Sequence, residues 1–426
     1  MALKRELGVF QATMLGIGII VGAGIYVLVG VAAQETGKAL WLSFAIAGVL
    51  AALTALTYAE LGSRYPRAGS SYYFAKHAFG SKPLSFMLGW ILVVASIATC
   101  AAVALGFAAY LSGFVALPAW AGALALLALL FAVNAIGIRQ ASELNMVCTL
   151  AEVSGLLLVI CLAFAFASPS VSLELPSTGW EGVLGAATLV FFAYLGFETL
   201  AAEAEEMRDA HRTLPKAILL SLAVCAVLYV LVAVAYTALV PENEAAEATE
   251  KGALAFAAGR AGGEWVVRLL GGIALFATAN TALVSLLGAS RTMYGMARDK
   301  ALPRALAETR RAVPLNAVAV STAAAALLAL TGNIMLIAEA GVLAMFVVFI
   351  MDNAALVVLR RREPPPGTIF RAPFSVGRVP VTAVLAAFFC VLLMLHEFWR
   401  NPVLMLAVAG MIALGFVVYE AEKHVL

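Results

Sequence analysis

The stretch Gly16-Ile17-Gly18-Ile19-Ile20-Val21-Gly22-Ala23-Gly24-Ile25-Tyr26 lies inside an apolar run over 7–33 and puts four glycines into nine residues. Each glycine weakens a helix by about 1 kcal/mol relative to alanine, so a helix built on this run breaks near its middle. A second interruption stands in Phe191-Phe192-Ala193-Tyr194-Leu195-Gly196-Phe197-Glu198, where Gly196 comes just before an ionisable residue in an otherwise apolar run. One glycine-rich run alone is as well explained by close helix packing. Two interruptions five spans apart point to a binding site instead. Corresponding breaks in the two halves of a transporter offer the free N–H groups of half-helices to an anion.

Outward from these segments the chain keeps the same character. Of its 426 residues 63% are apolar and 12% charged, too little polar surface to cover a soluble core. Apolar runs between turn and charge clusters predict helices at 8–32, 40–64, 83–113, 118–137, 144–167, 182–206, 213–240, 265–298, 315–331, 334–359, 379–397 and 401–421. Twelve spans of about 20 residues use roughly 240 residues, which fits one transmembrane domain over 1–426. The longest polar stretches are 168–180, 241–264 and 360–380. With the amino terminus placed inside, 22 of the 27 Lys and Arg residues fall on the inner side and 5 on the outer. That bias sets both termini on the cytoplasmic side of the cell membrane.

Several functions are excluded. A net charge of +2, with its basic residues in short clusters between apolar runs, gives no surface for nucleic acid. Cys100, Cys148, Cys161, Cys225 and Cys390 show no paired spacing, hence neither a disulfide framework nor a zinc site. No HExxH, GxSxG or His/Cys set occurs, so no enzyme, cofactor or resident metal is expected. A channel would need a continuous polar face on several spans, and the polar residues here are isolated. The start at Lys4 and Arg5 precedes an apolar run too long and too glycine-rich for a signal peptide.

Four segments carry a family resemblance: 18–26; Tyr58-Ala59-Glu60-Leu61-Gly62-Ser63-Arg64-Tyr65-Pro66-Arg67-Ala68-Gly69-Ser70-Ser71-Tyr72; 192–206, closing at Pro215; and Ser290-Arg291-Thr292-Met293-Tyr294-Gly295-Met296-Ala297-Arg298-Asp299, closing at Pro303. In this order the chain resembles the amino acid–polyamine–organocation (APC) transporters, in particular the prokaryotic relatives of the cationic amino acid transporters. The resemblance implies an all-α LeuT-type fold. Residues 1–167 and 182–360 would be inverted five-span repeats broken in spans one and six, with two added spans over 379–421. It also implies a secondary amino acid transporter working by alternating access, with amino acid and bilayer as its partners and no obligate protein partner evident.

What the resemblance implies for the site agrees with the residues. A substrate carboxylate would meet the N–H groups of Gly22, Ala23 and Gly24, with Ile25 beside them, because small residues let an anion approach a helix amino terminus. The ammonium would face carbonyls freed around Phe191, Phe192, Ala193 and Tyr194, with Phe192 as the covering aromatic. Glu198, in an apolar helix where a charge costs at least about 2.5 kcal/mol, is either a proton-sensing group near the inner gate or the partner of an arginine. Glu152 stands where the family's proton-coupled members usually carry a lysine. It either takes a proton, ligates a cation such as sodium with help from Thr278 or Thr281, or is a structural residue bonding a helix neighbour, and proton coupling is the leading expectation. The alternatives are an exchanger, a sodium symporter and, in a different class, a non-transporting sensor; the short tails, about seven and five residues, argue against the sensor. Asn280 either lines the pocket or bonds across helices. Asp352 is expected to pair with Arg360, Arg361 or Arg362. Glu60 and Glu206 are expected to form exposed pairs with Arg64, Arg67 or Arg208.

Overall fold

The computed structural model describes residues 5–112, 114–115, 117–136, 138–166, 179–310, 313–332, 334–363, 367, 369–400 and 402–425; Lys4, Arg311 and nearly all of the polar stretch 168–180 lie outside them. In chain order the helices are α1 (Val9–Ile20), α2 (Ala23–Thr36), α3 (Leu40–Arg64), α4 (Ser71–Phe79), α5 (Lys82–Ser112), α6 (Ala119–Ile136), α7 (Ile138–Phe166), α8 (Trp180–Phe191) and α9 (Phe197–Ala202). There follow α10 (Ala210–Leu239), α11 (Ala245–Glu250), α12 (Ala253–Gly262), α13 (Glu264–Arg298), α14 (Leu315–Ala329), α15 (Ile334–Arg362), α16 (Val381–Arg400) and α17 (Pro402–Val425). Strands β1 (Ser375–Val376) and β2 (Val379–Pro380) pair antiparallel.

Among the described residues, ten stretches are long and apolar enough to cross a membrane; the first, Val9–Arg64, contains α1, α2 and α3, and the apolar α14 is shorter at 15 residues. The two longest helices, α5 and α13, pack along each other at the centre, with α15 against α5 and α10 against α3 and α1. The core lies between them. Around it, α16 and α17 bury only 28% and 17% of their most apolar windows and leave Phe388, Trp399, Leu406 and Val417 exposed. An apolar exterior on that scale belongs against hydrocarbon.

Helices also occur where polar stretches suggested loops. Within 64–77, α4 buries Tyr72, Tyr73, Phe74 and Ala75 and leaves Lys76 and His77 outside, and α11 and α12 occupy most of 241–264. Their apolar faces are too short to show against the long spans.

The two ends of the bundle differ. At one end the starts of α1 and α4 meet the ends of α3, α9, α13 and α15, and arginines fill the joint. Arg360 Nε donates to Glu60 Oε1 at 2.9 Å, its Nη2 reaches Glu60 Oε2, and the Ala372 amide donates to the same oxygen at 2.8 Å. Arg64 adds a contact to Glu60 at 3.1 Å. Arg291 lies 3.1 Å from Glu206 and 3.6 Å from Glu203, all three buried. Arg298 holds Glu205, whose Oε1 also accepts from the Ala68 amide at 3.2 Å. Asp299 binds Lys76 and Tyr72. Partial burial works against its carboxylate, but the bonds from Lys76 and Tyr72 prevail and hold its pKa below the usual range.

Three expectations change here. Glu60 and Glu206 are buried rather than exposed, and the partner of Glu206 is Arg291. Arg67 lies 5.6 Å over the Tyr73 ring instead of reaching either glutamate. Asp352 accepts from Ser71 Oγ at 2.6 Å and does not take Arg360, because eight residues of helix put about 12 Å between them while α4 brings Ser71 alongside.

Removing one member of a buried pair strands the other charge, at about 3–5 kcal/mol. Arg360→Leu should therefore lower the melting temperature of the detergent-purified protein strongly. Glu264→Gln, which breaks a pair with Arg268 that is 78% and 75% exposed, should not lower it measurably. Equal shifts for the two variants would overturn the reading of the joint.

Candidate functional site

The glycine-rich run breaks where the sequence places the break. The Val21 amide still bonds Ile17 at 2.7 Å, Gly22 leaves helical geometry with ψ −147°, and α2 starts afresh at Ala23. The second break follows α8: residues Phe192–Tyr194 tighten into a 3-10 turn, Leu195 is extended, and Gly196 takes φ +138° before α9 begins. That angle favours glycine, and a Cβ there would also lie 2.2 Å from Ile19 Cγ2. The two breaks touch: a Cβ on Gly24 would lie 2.6 Å from the Cα of Ala193.

A broken helix frees backbone groups, and side chains from other helices take several of them. Thr281 Oγ1 accepts the Ala23 N–H at 2.9 Å. Tyr229, fully buried on α10, points its hydroxyl at both the Ile20 carbonyl and the Ala193 carbonyl, the latter at 3.0 Å. Asn280 Nδ2 donates to the Gly18 carbonyl at 3.2 Å. Glu198 Oε2 accepts the Gly196 N–H at 2.8 Å, so its bond closes the second break and does not go to an arginine. The amides of Gly22 and Gly24 belong to the opening turn of α2, where no carbonyl of the helix stands above them.

These elements surround a cavity of about 40 Å³. Its lining includes Ile19, Ile20, Gly22, Ala23 and Gly24 from the first break, Phe192, Leu195, Gly196, Glu198 and Thr199 from the second, and Ser96, Thr99, Thr281, Ser285 and Met345 from α5, α13 and α15. Of the segment 191–194 only Phe192 lines it. Phe191 packs on Phe346 and Phe349, Tyr194 donates to the Phe44 carbonyl at 2.9 Å, and the Ala193 carbonyl is held by Tyr229. Ile25 is buried in the core away from the cavity lining. The assignment of Ala23 N–H to a carboxylate is likewise modified, since Thr281 holds it.

Behind the first break lies a second polar group. Glu152 Oε1 accepts from Asn280 Nδ2 at 3.0 Å, and the Glu152 carbonyl accepts from Tyr26 Oη at 2.6 Å. Asn145 and Thr149 close against Gly18, with Asn145 Nδ2 3.3 Å from the Met14 carbonyl. Three buried oxygens here, Glu152 Oε2, Asn145 Oδ1 and Asn280 Oδ1, have no hydrogen-bond partner. Thr278 does not come to Glu152, because its hydroxyl bonds the Ala274 and Leu275 carbonyls of its own helix. Thr281 faces Ala23 instead. Asn280 performs the bonding expected of those threonines.

Sequence reasoning missed Tyr229, Asn145, Ser96, Thr99 and Ser285. Ser96 and Thr99 were findable, being polar residues one helical turn apart in an apolar span. Tyr229 was not, because nothing in its local sequence ties it to residues 20 and 193.

Two interrupted helices joined at a cavity inside an apolar bundle define a membrane transporter rather than an enzyme. The chain belongs to the amino acid permease family, within the APC superfamily, whose description matches residues 7–418. It is 32% identical over 452 residues to the branched-chain amino acid permease BcaP of Bacillus subtilis, covering 99% of this chain and 94% of that one. The methylthioribose transporter of Bacillus subtilis is 30% identical over 99% of this chain and 95% of its own. The vacuolar cationic amino acid transporter 4 of Arabidopsis thaliana is 32% identical over 86% of this chain and 64% of its own.

The contact between the breaks is steric and can be probed directly. Gly24→Ala must push α2 from the Ala193 backbone, and overpacking of this kind costs about 1–3 kcal/mol. Gly410→Ala on α17, where a Cβ meets nothing within 4 Å, should leave the melting temperature unchanged or raised. A Gly24→Ala protein as stable as the wild type would show that the breaks are not in contact.

Proposed function

We propose that the chain is a secondary transporter of α-amino acids in the cytoplasmic membrane, working by alternating access and coupled to protons. The observation that carries the reading is the meeting of two helix breaks at one cavity, lined by Gly22, Ala23 and Gly24 at the amino terminus of α2. A substrate carboxylate binds there, and the half-helix dipole favours it. On this reading α1 and α2 form one interrupted pass and α8 and α9 another. With α14 counted, the passes number twelve, as two inverted five-pass repeats followed by α16 and α17. The arginine-filled end faces the cytoplasm, with both termini.

Glu152 is the coupling group in this scheme. A carboxylate sealed in an apolar bundle, with Asn280 donating to one oxygen and the other oxygen unpartnered, is short of a hydrogen-bond donor. A proton on Glu152 supplies one. Glu198, at the second break, links the state of the gate to the same cavity.

Ala23→Val should weaken amino acid binding at least about tenfold, since the added methyls stand at the helix start that the carboxylate must approach. Unchanged affinity in a folded variant would remove the site from this helix end. Coupling is read separately in liposomes, from counterflow and net uptake at acid and neutral pH with and without sodium. If Glu152 carries the proton, net uptake rises toward acid pH, and Glu152→Gln keeps counterflow while losing that rise. Uptake that falls in acid and needs sodium would make the oxygen set a sodium site. A variant with the wild-type pH and sodium profiles would make Glu152 structural.

A further inference from the structure

A second cavity, of about 170 Å³, is lined by Phe192 but not by Glu198. It shares Ala23, Gly24 and Phe192 with the first cavity and no other lining residue. It continues along α2 as far as Val31 and along α5 to Gly106, and the one polar residue lining it, Thr278, has its hydroxyl turned onto its own helix. The two spaces differ in what they admit. At about 40 Å³, with ~10–15 Å³ of such space needed per water, the first has room for about three waters and not for a branched side chain. The second exceeds the ~150 Å³ of an apolar cavity able to hold benzene.

We propose that this apolar cavity is the side-chain subsite, and that the transporter is therefore selective for large apolar amino acids, aliphatic or aromatic, over cationic ones. The proposal rests on the amino acid reading above. A carboxylate at the start of α2 sits at the junction of the two cavities, because Ala23 and Gly24 belong to both. From that junction the larger opening has no charged lining residue. A lysine or arginine side chain would enter it with no partner for its cation, which is a heavy desolvation penalty, whereas an isobutyl or benzyl group gains apolar burial.

Gly106 permits a clean test. A Cβ there meets nothing within 4 Å, so Gly106→Ala adds bulk without displacing a neighbour, and Gly106→Leu carries the same addition further into the space. Glycine, alanine, leucine, phenylalanine and arginine are measured as competitors of counterflow, and by thermal shift, on the wild type, Gly106→Ala and Gly106→Leu. The wild type should prefer leucine and phenylalanine to alanine and arginine. Gly106→Leu should lose about tenfold or more for leucine and phenylalanine with less than about twofold for alanine, and Gly106→Ala should fall between. Equal losses for alanine and leucine, no loss for either, or a wild type that prefers arginine would overturn the subsite. A wild type that responds to no amino acid would instead overturn the transport reading beneath it.

Discussion

A helix interrupted inside an apolar bundle must have its freed amides and carbonyls met by protein, because hydrocarbon offers them nothing. Most of what surrounds the first break follows from that requirement. The carbonyls of Gly18 and Ile20 go to Asn280 and Tyr229, and the Ala23 amide goes to Thr281. Each partner comes from a long helix, α10 or α13, that continues through the core. The break is thus fixed on the donor side by rigid elements. The second break reuses one of these partners: Tyr229 also reaches Ala193, so a single hydroxyl spans both interruptions. Small residues at Gly24 and Gly196 are the steric condition for bringing the two backbones within reach of it.

The arginine-filled joint obeys a different constraint. Buried ion pairs gain little net stability over apolar packing, yet breaking one is expensive. Such pairs therefore hold a joint in which every charge must stay matched. Glu60 with Arg360 and Glu206 with Arg291 join helices far apart in sequence across one end of the bundle. α4 is held in the same joint by Ser71 on Asp352 and Tyr73 on the Gly295 carbonyl.

The architecture was legible in the sequence wherever a single run carried the signal. Glycine spacing put the first break near the middle of its run, and the chain breaks there at Gly22; Gly196 marked the second. Pairings between distant residues were not legible. Asp352 stands eight residues before Arg360, which invites a local pairing, but helix rise separates them and Ser71, on α4, is the neighbour the fold supplies. Thr278 and Thr281 are one turn apart on α13 and only about 60° apart around it, so their spacing does not distinguish them. One lines the apolar cavity and the other meets the α2 start. Asn280, next to Thr281, is the residue at Glu152. Charge and polarity are readable along a chain, whereas facing directions in a crowded bundle require the packing itself.

What the protein leaves unpaired is as informative as what it pairs. At the break, carbonyls and one amide are matched by side chains, while Gly22 and Gly24 on either side of Ala23 line the cavity. Phe192 stands where the two cavities meet, half-buried and packed against the core from one side. The small cavity is bounded by both breaks and the large one by α2 and α5, so Ala23 and Gly24, the small residues that open α2, together with Phe192, are the wall the two spaces share.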